Sequence, residues 1–274
     1  MKNNFLTFFS PAKINLLFKI LYKRKDGFHE IISINQTIDL YDIINISLSK
    51  KDIITCKNNP ALSKKDNIIY KAIDIFKKKT KKTFFLTIIL KKNIPIKSGL
   101  GGGSSNAATI LWALNKILNT KLSANELIKI GSEIGSDVPF FFSNGSALCQ
   151  GKGEIIKNIK LKLPYLTIAT PNFGISTKEV YENITNFSKN YKFEHKKKLE
   201  FSNDLENYSF NLNPNLIKIK STLYKIGFKK VVMTGSGSSF FCFGNSFKKH
   251  SILKNTTFYK VKAINRDLKT WYNT

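Results

Sequence analysis

The chain has 274 residues, 42% of them apolar, with 45 basic against 18 acidic side chains and a formal charge of +27. That is a globular chain able to bury one large or two modest domains; no apolar run approaches the ~20 residues that span a bilayer, and Phe5 to Phe9 is too short for a secretion signal, so a cytoplasmic location without membrane attachment is expected. The charge would suit nucleic acid, but only Arg24 and Arg266 are arginines, the side chain that supplies bidentate contacts, and the abundance of Lys, Asn, Ile and Phe is what A/T-rich codons produce, so no nucleic-acid partner is expected.

In chain order, Phe5 to Tyr22 alternates or runs apolar like one or two strands. Ile31 to Leu48 resembles further strands, with a turn expected at Tyr41-Asp42. Asn67 to Lys78 reads as a helix, Phe84 to Leu90 as a strand, and Asn106 to Leu118 as a helix with the three-and-four spacing of Ala108, Leu111, Trp112 and Leu118. Ser123 to Glu126, SANE, is a capping box opening another helix that ends around Gly131 to Gly135. Ser136 to Phe142 begins a new element, and the lysine-rich Ile156 to Lys162 reads as a connection to a second half. There Leu166 to Ala169 is strand-like, Thr177 to Thr185 and Leu216 to Ile226 are helical, and Lys230 to Phe243 is a hairpin around Gly235-Ser236-Gly237. Residues Phe187 to Phe201 are polar and charged, a surface excursion. The tracts Lys77 to Lys82 and Lys196 to Lys198 read as solvated faces or loops. No internal repeat is found. Cys56, Cys149 and Cys242 are odd in number, widely separated and without metal-ligand spacing, which argues for reduced thiols and against a zinc site.

The densest signal is Ile94 to Thr109, IPIKSGLGGGSSNAAT. Gly99, Gly101, Gly102 and Gly103 let a backbone turn approach a ligand closely, and Ser104 to Asn106 fall at a helix N-terminus, where free N–H groups and the helix dipole favour an anion such as a nucleoside triphosphate. The competing reading is a linker or an ordinary tight turn; apolar elements on both sides speak against a linker. The run is neither a P-loop, which needs Lys and Ser or Thr directly after the last glycine, nor a GxGxxG dinucleotide loop. Taken alone, Asp137 is as readily a turn or N-cap aspartate as a base, and Lys13 is one lysine among many, unusual only in lying between Ala12 and Ile14 in an apolar strand.

Together with SPAKINL at Ser10 to Leu16, KDGFHE at Lys25 to Glu30, SDVPFF from Ser136 and MTGSGSSFFCF at Met233 to Phe243, the glycine run resembles the GHMP kinase superfamily. The pairing of PAKIN with DGFHE is similar to its 4-diphosphocytidyl-2-C-methyl-D-erythritol kinase branch. The resemblance implies an α+β fold: a domain like ribosomal protein S5 domain 2 over residues 1–160, a ferredoxin-like domain over residues 161–274, and an active site between them. It implies ATP as phosphoryl donor, with Mg2+, and a small cytidine diphosphate substrate phosphorylated on the 2-hydroxyl of its methylerythritol part, a step of non-mevalonate isoprenoid synthesis. It assigns Asp137 as general base and Lys13 as its cationic partner. ATP would lie on Pro95, Ile96, Lys97, Ser98, Gly99, Leu100, Gly101, Gly102, Gly103, Ser104 and Ser105. Asn15, Phe28, His29, Tyr181, Gly235, Ser236 and Gly237 would bind the second substrate: Phe28, where the family usually has Tyr, and Tyr181 around the cytosine, His29 as its hydrogen-bonding partner. Ser105 and Asp137 are the candidate magnesium contacts. An S5-like RNA-binding protein would account for the charge but for none of these motifs.

Overall fold

A computed structural model describes residues 5–194, 199–244, 251–267 and 269–272. Two long strands open it, β1 (Leu6–Lys23) and β2 (His29–Leu48), paired antiparallel around the turn at Asp26-Gly27. Phe5 to Tyr22 is thus a single strand, whose register shifts at Pro11/Ala12, Asn15/Leu17 and Ile20/Tyr22. The turn expected at Tyr41-Asp42 does not form. Strand β2 runs through it, and the polar residue that suggested a turn is wholly buried, its carboxylate accepting the Asn93 and Ile94 N–H groups and pairing with Lys92 Nζ at 2.8 Å.

The first half continues with β3 (Ile53–Thr55), a 3-10 turn at Pro60–Ser63, α1 (Ile68–Thr80), β4 (Leu86–Lys91), α2 (Gly102–Ile117), α3 (Ala124–Ile134), a second 3-10 turn at Pro139–Phe142, β5 (Ser146–Gly151) and β6 (Ile155–Asn158). Asn67 caps α1 by accepting Ile69 N–H, and the Ser123/Glu126 box opens α3 as its spacing predicts. Ile69, Ala72, Ile73 and Phe76 bury one stripe of α1 beneath the sheet, each large side chain contributing about 1.5–3 kcal/mol of burial. Helix α2 begins at Gly102, four residues before the expected start, because Gly101 takes the left-handed N-cap conformation (φ 68°) and Gly102 and Gly103 form the first turn. The connection expected over Ile156 to Lys162 starts later, since β6 pairs with β5 as far as Asn158.

The second half adds β7 (Leu166–Pro171), α4 (Thr177–Glu182), β8 (Ser202–Asn203), α5 (Glu206–Leu212), α6 (Asn215–Lys225), β9 (Lys230–Met233), β10 (Phe240–Phe243), a 3-10 turn at Ser251–Leu253 and β11 (Thr256–Val261). The two sheets are β3-β4-β2-β1-β8, with β5 on β2 and β6 on β5, and an antiparallel β11-β7-β10-β9. The hairpin around Gly235 forms with Met233 opposite Phe240. Leu216, Ile219 and Leu223 of α6 pack on Val231, Met233 and Phe240. Two excursions cross back to the first sheet. Strand β8 pairs parallel with Leu17 and Phe18 of β1, and after β11 the chain bridges Ile38 through Ala263 and buries Trp271 and Tyr272 in the first core. Of the lysine tracts, Lys77 to Lys82 is exposed or half-buried, while Lys196 to Lys198 lies outside the described residues. Cys56, Cys149 and Cys242 are buried free thiols.

Candidate active site

A cleft of about 760 Å³ lies where the start of α2, the middle of β1, the turn after α3 and the β9-β10 turn meet. Its floor is the glycine run. Gly101 packs so closely on Lys13 that a Cβ there would stand 2.9 Å from Lys13 Cγ and Cε. Gly99 is pressed still harder, a Cβ lying 2.0 Å from the Thr234 carbonyl, so the two glycine turns touch back to back. Ser239 N–H donates to Ser98 O at 3.1 Å, Lys13 N–H to Leu100 O at 2.9 Å, and Ile175 N–H to Lys97 O at 3.2 Å, tying the loop to both halves. Leu100 is buried, whereas Ile96 and Lys97 are exposed. The first helical bond of α2 is Ser105 N–H to Gly101 O, which leaves the N–H groups of Gly102, Gly103 and Ser104 without intrahelical acceptors at the cleft wall.

Lys13 is 2% exposed in the middle of an apolar strand, a burial that an ammonium tolerates only with partners. It has two: Asp137 Oδ2 at 3.1 Å and Asn15 Oδ1 at 2.6 Å. Asp137 caps no helix; it sits in the turn between α3 and the Pro139 turn, its side chain 40% exposed to the cleft. Asn15 is buried and fully engaged, its amide donating to Ser33 Oγ and Asn35 Oδ1 while its oxygen takes Lys13 and Thr234 Oγ1. It orients Lys13 and has no polar atom left over for a substrate. Ser105 is likewise buried, its hydroxyl accepting from Ser10 Oγ at 2.8 Å. Gly235 and Ser236 line the opposite wall.

Tyr181 lines the cleft, and behind it His29 lies with its ring centroid 5.4 Å from that of Tyr181 and 6.2 Å from that of Phe187. Burial, with Lys23 adding to it, holds the His29 pKa below its ordinary value, so the imidazole is neutral near pH 7. Burial, and then the Asp137 charge, pushes the Tyr181 phenol up, keeping it protonated. Phe28 stands apart from this pair, nearly half exposed, with Lys152 Nζ 4.5 Å over its ring. The sequence reading missed the wall facing the glycine run: Asn59, Leu62, Asp66 and Ile68, with Lys92 below Gly102. The Asn67 cap was legible, but nothing local says that the residues before α1 fold over this cleft.

Among the described residues no three acidic, His or Cys side chains cluster as metal ligands. Ser105 is tied to Ser10 and Asp137 to Lys13, so among the described residues no carboxylate cage for Mg2+ is formed.

The architecture and the paired glycine turns are those of a GHMP kinase: the GHMP kinases N terminal domain model matches residues 67–145, and the GHMP kinases C terminal model residues 181–255. A solved 4-(cytidine 5'-diphospho)-2C-methyl-D-erythritol kinase superposes with a TM-score of 0.77 over 95% of this chain and 100% of its own at 24% identity, and a mevalonate kinase with 0.68 over 95% and 100% at 18%, which fixes the fold. At sequence level, the 4-diphosphocytidyl-2-C-methyl-D-erythritol kinase of Protochlamydia amoebophila is 42% identical over 97% of this chain and 92% of its own, and the chloroplastic one of Arabidopsis thaliana 36% over 97% and 76%. The chain belongs to the 4-diphosphocytidyl-2-C-methyl-D-erythritol kinase family and is an ATP-dependent kinase. Among the described residues no helix is long and apolar enough to cross a membrane.

Proposed function

We propose that this chain transfers the γ-phosphoryl group of ATP to the 2-hydroxyl of 4-diphosphocytidyl-2-C-methyl-D-erythritol, with Asp137 as general base. The observation that carries the reading is the Lys13–Asp137 ion pair, 3.1 Å long, at the mouth of the α2 N-terminus. A tertiary hydroxyl is a weak nucleophile. Placed against Asp137, it gives up its proton to the carboxylate as its oxygen attacks the γ-phosphorus and ADP leaves, while the buried Lys13 ammonium stabilises negative charge on the attacking oxygen and the phosphoryl group. The triphosphate lies on the free N–H groups of Gly102 to Ser104, and the remaining protein contribution is alignment. Magnesium, when bound, would supply charge neutralisation on the phosphates, and Asp137, at the cleft, is the carboxylate of this chain that would stand nearest to it. His29 and Tyr181 hold the cytosine end of the substrate, with Phe28 at its rim.

We assign residues 1–160 to the ATP-binding half and 161–274 to the half that supplies Tyr181 and the second glycine turn. The buried free thiols suit a reducing compartment, and the cytoplasm is the proposed location. The test is turnover of ATP with 4-diphosphocytidyl-2-C-methyl-D-erythritol against free methylerythritol 4-phosphate. A large preference for the cytidine compound is expected, and equal turnover would overturn the substrate assignment.

A further inference from the structure

The β9-β10 turn presents unusual carbonyl chemistry. Asn203, buried at 7% exposure in β8, donates from one amide nitrogen to both Met233 O and Gly235 O at 2.8 Å. Two carbonyls can be met only by the Nδ2 side of the amide, so its orientation is fixed, and its oxygen accepts Leu205 N–H at 2.9 Å. Ser209 Oγ, buried on α5, donates to Ser236 O at 2.9 Å, and Gly237 N–H donates to Thr234 O at 3.0 Å. Every carbonyl from Met233 to Ser236 is therefore held by a donor of the protein. A peptide unit whose carbonyl is fixed on one side points its N–H to the other. Among the described residues no acceptor meets the N–H groups of Gly235 and Ser236, and both residues line the cleft.

We propose that Asn203, seconded by Ser209, is a positioning residue that pins the carbonyls of the Gly235 turn away from the cleft and so preforms a backbone anion site for the diphosphate of the acceptor substrate. Strand β8 makes this a coupling between halves. Asn203 sits on β1 opposite Phe18, five residues from Lys13, and Gly235 abuts Gly99, a Cβ at Gly235 lying 3.1 Å from Gly99 O. The Asn203 amide thus joins Thr234 Oγ1, which bonds Asn15 N–H at 3.0 Å, in holding the diphosphate site against the strand that carries the catalytic pair. The inference rests on the cytidine-substrate reading above.

Asn203→Leu keeps the approximate volume but removes both donors. The expected result is about a tenfold rise in KM for the cytidine substrate and in the Kd of CDP by calorimetry, with ATP affinity within twofold of the parent and faster amide exchange at Thr234 and Gly237, whose N–H groups are bonded to Ser239 O and Thr234 O in the parent. Ser209→Ala, a milder change, should move the same quantities the same way by about threefold, and stands in if Asn203→Leu does not fold. A merely structural role would shift ATP and CDP affinities together. Equal effects on both ligands, or CDP binding and amide exchange unchanged in a folded variant, would overturn the pinning role. A parent that binds no CDP would instead remove the substrate reading, and the exchange rates would still decide whether Asn203 pins the turn.

Discussion

Gly101→Ala is the smallest change that tests how the glycine run serves catalysis. Gly101 holds φ 68°, where an alanine costs on the order of 1–2 kcal/mol, and the new methyl would stand 2.9 Å from two carbons of the Lys13 stem. Backbone and buried side chain cannot both stay. If Lys13 yields by even a few tenths of an ångström, its contacts of 3.1 Å to Asp137 and 2.6 Å to Asn15 lengthen, and with them the stabilisation of charge at the reacting oxygen. Loss of one such preorganised contact is worth roughly 100- to 1,000-fold in kcat. The strain should appear as a Tm lowered by about 2–8 °C, at roughly 2–4 °C per kcal/mol for a chain somewhat smaller than this one. Gly103→Ala is the stability control: a Cβ there meets nothing closer than Ile68 Cγ2 at 3.7 Å, and alanine in a helix gains about 0.5–1 kcal/mol over glycine, so its Tm should rise. Coupled ADP release and thermal melts of both variants decide it. A Gly101→Ala enzyme with kcat within threefold of the parent would refute the idea that this glycine exists to let Lys13 through.

Asp137→Asn should lower kcat by about 100- to 10,000-fold while calorimetry finds ATP binding nearly unchanged, since the amide keeps the shape but accepts no proton. Phe28→Ala should weaken binding of the cytidine substrate by roughly 1–3 kcal/mol in titration, and Phe28→Tyr should bind it like the parent, because the ring face and its contact with Lys152 persist. For His29 the folded pKa lies below the unfolded value of about 6.5, so the unfolded chain binds more protons in acid; its contribution to stability is complete above that value and declines as pH falls below it. Melts of the parent and His29→Gln from pH 7.5 to 5 should therefore show a shallower acid-side fall in the variant, and parallel curves would remove His29 as the cause.

The parts of the fold legible in the sequence are those decided locally. Asn67 and the Ser123/Glu126 box fix helix starts through their own side chains, and Ala12-Lys13-Ile14 marks a lysine in an apolar strand that burial then makes special. What tertiary partners decide was not legible. Asp42 reads as a turn residue until the N–H groups of Asn93 and Ile94, half a hundred residues on, are seen to occupy its carboxylate. Gly102 and Gly103 read as loop because glycine usually breaks helices, yet Gly101 caps one. In the candidate site, residue type alone singles out neither Lys13 nor Asp137, and their partnership was an expectation of the family resemblance; the engagement of Asn15 in a buried network and the wall from Asn59 to Ile68 are products of chain crossings that no window of sequence contains.

The return of the chain to the first sheet has a consequence for biosynthesis. Arg266 lies 5.4 Å over the Trp112 ring and 5.2 Å over that of Trp271, and donates to Phe142 O at 2.6 Å, while Trp271 stacks on Trp112 and its indole N–H bonds Phe9 O. The core under the turn that carries Asp137 is thus closed by residues that follow β11, more than a hundred positions on in the chain. A nascent chain that has emerged only as far as β6 holds the Lys13 strand and the glycine run, but leaves Trp112 and Phe142 without their cover. The first half therefore does not complete its own core, and the turn that carries Asp137 should settle only once the segment through Tyr272 has folded back beneath it.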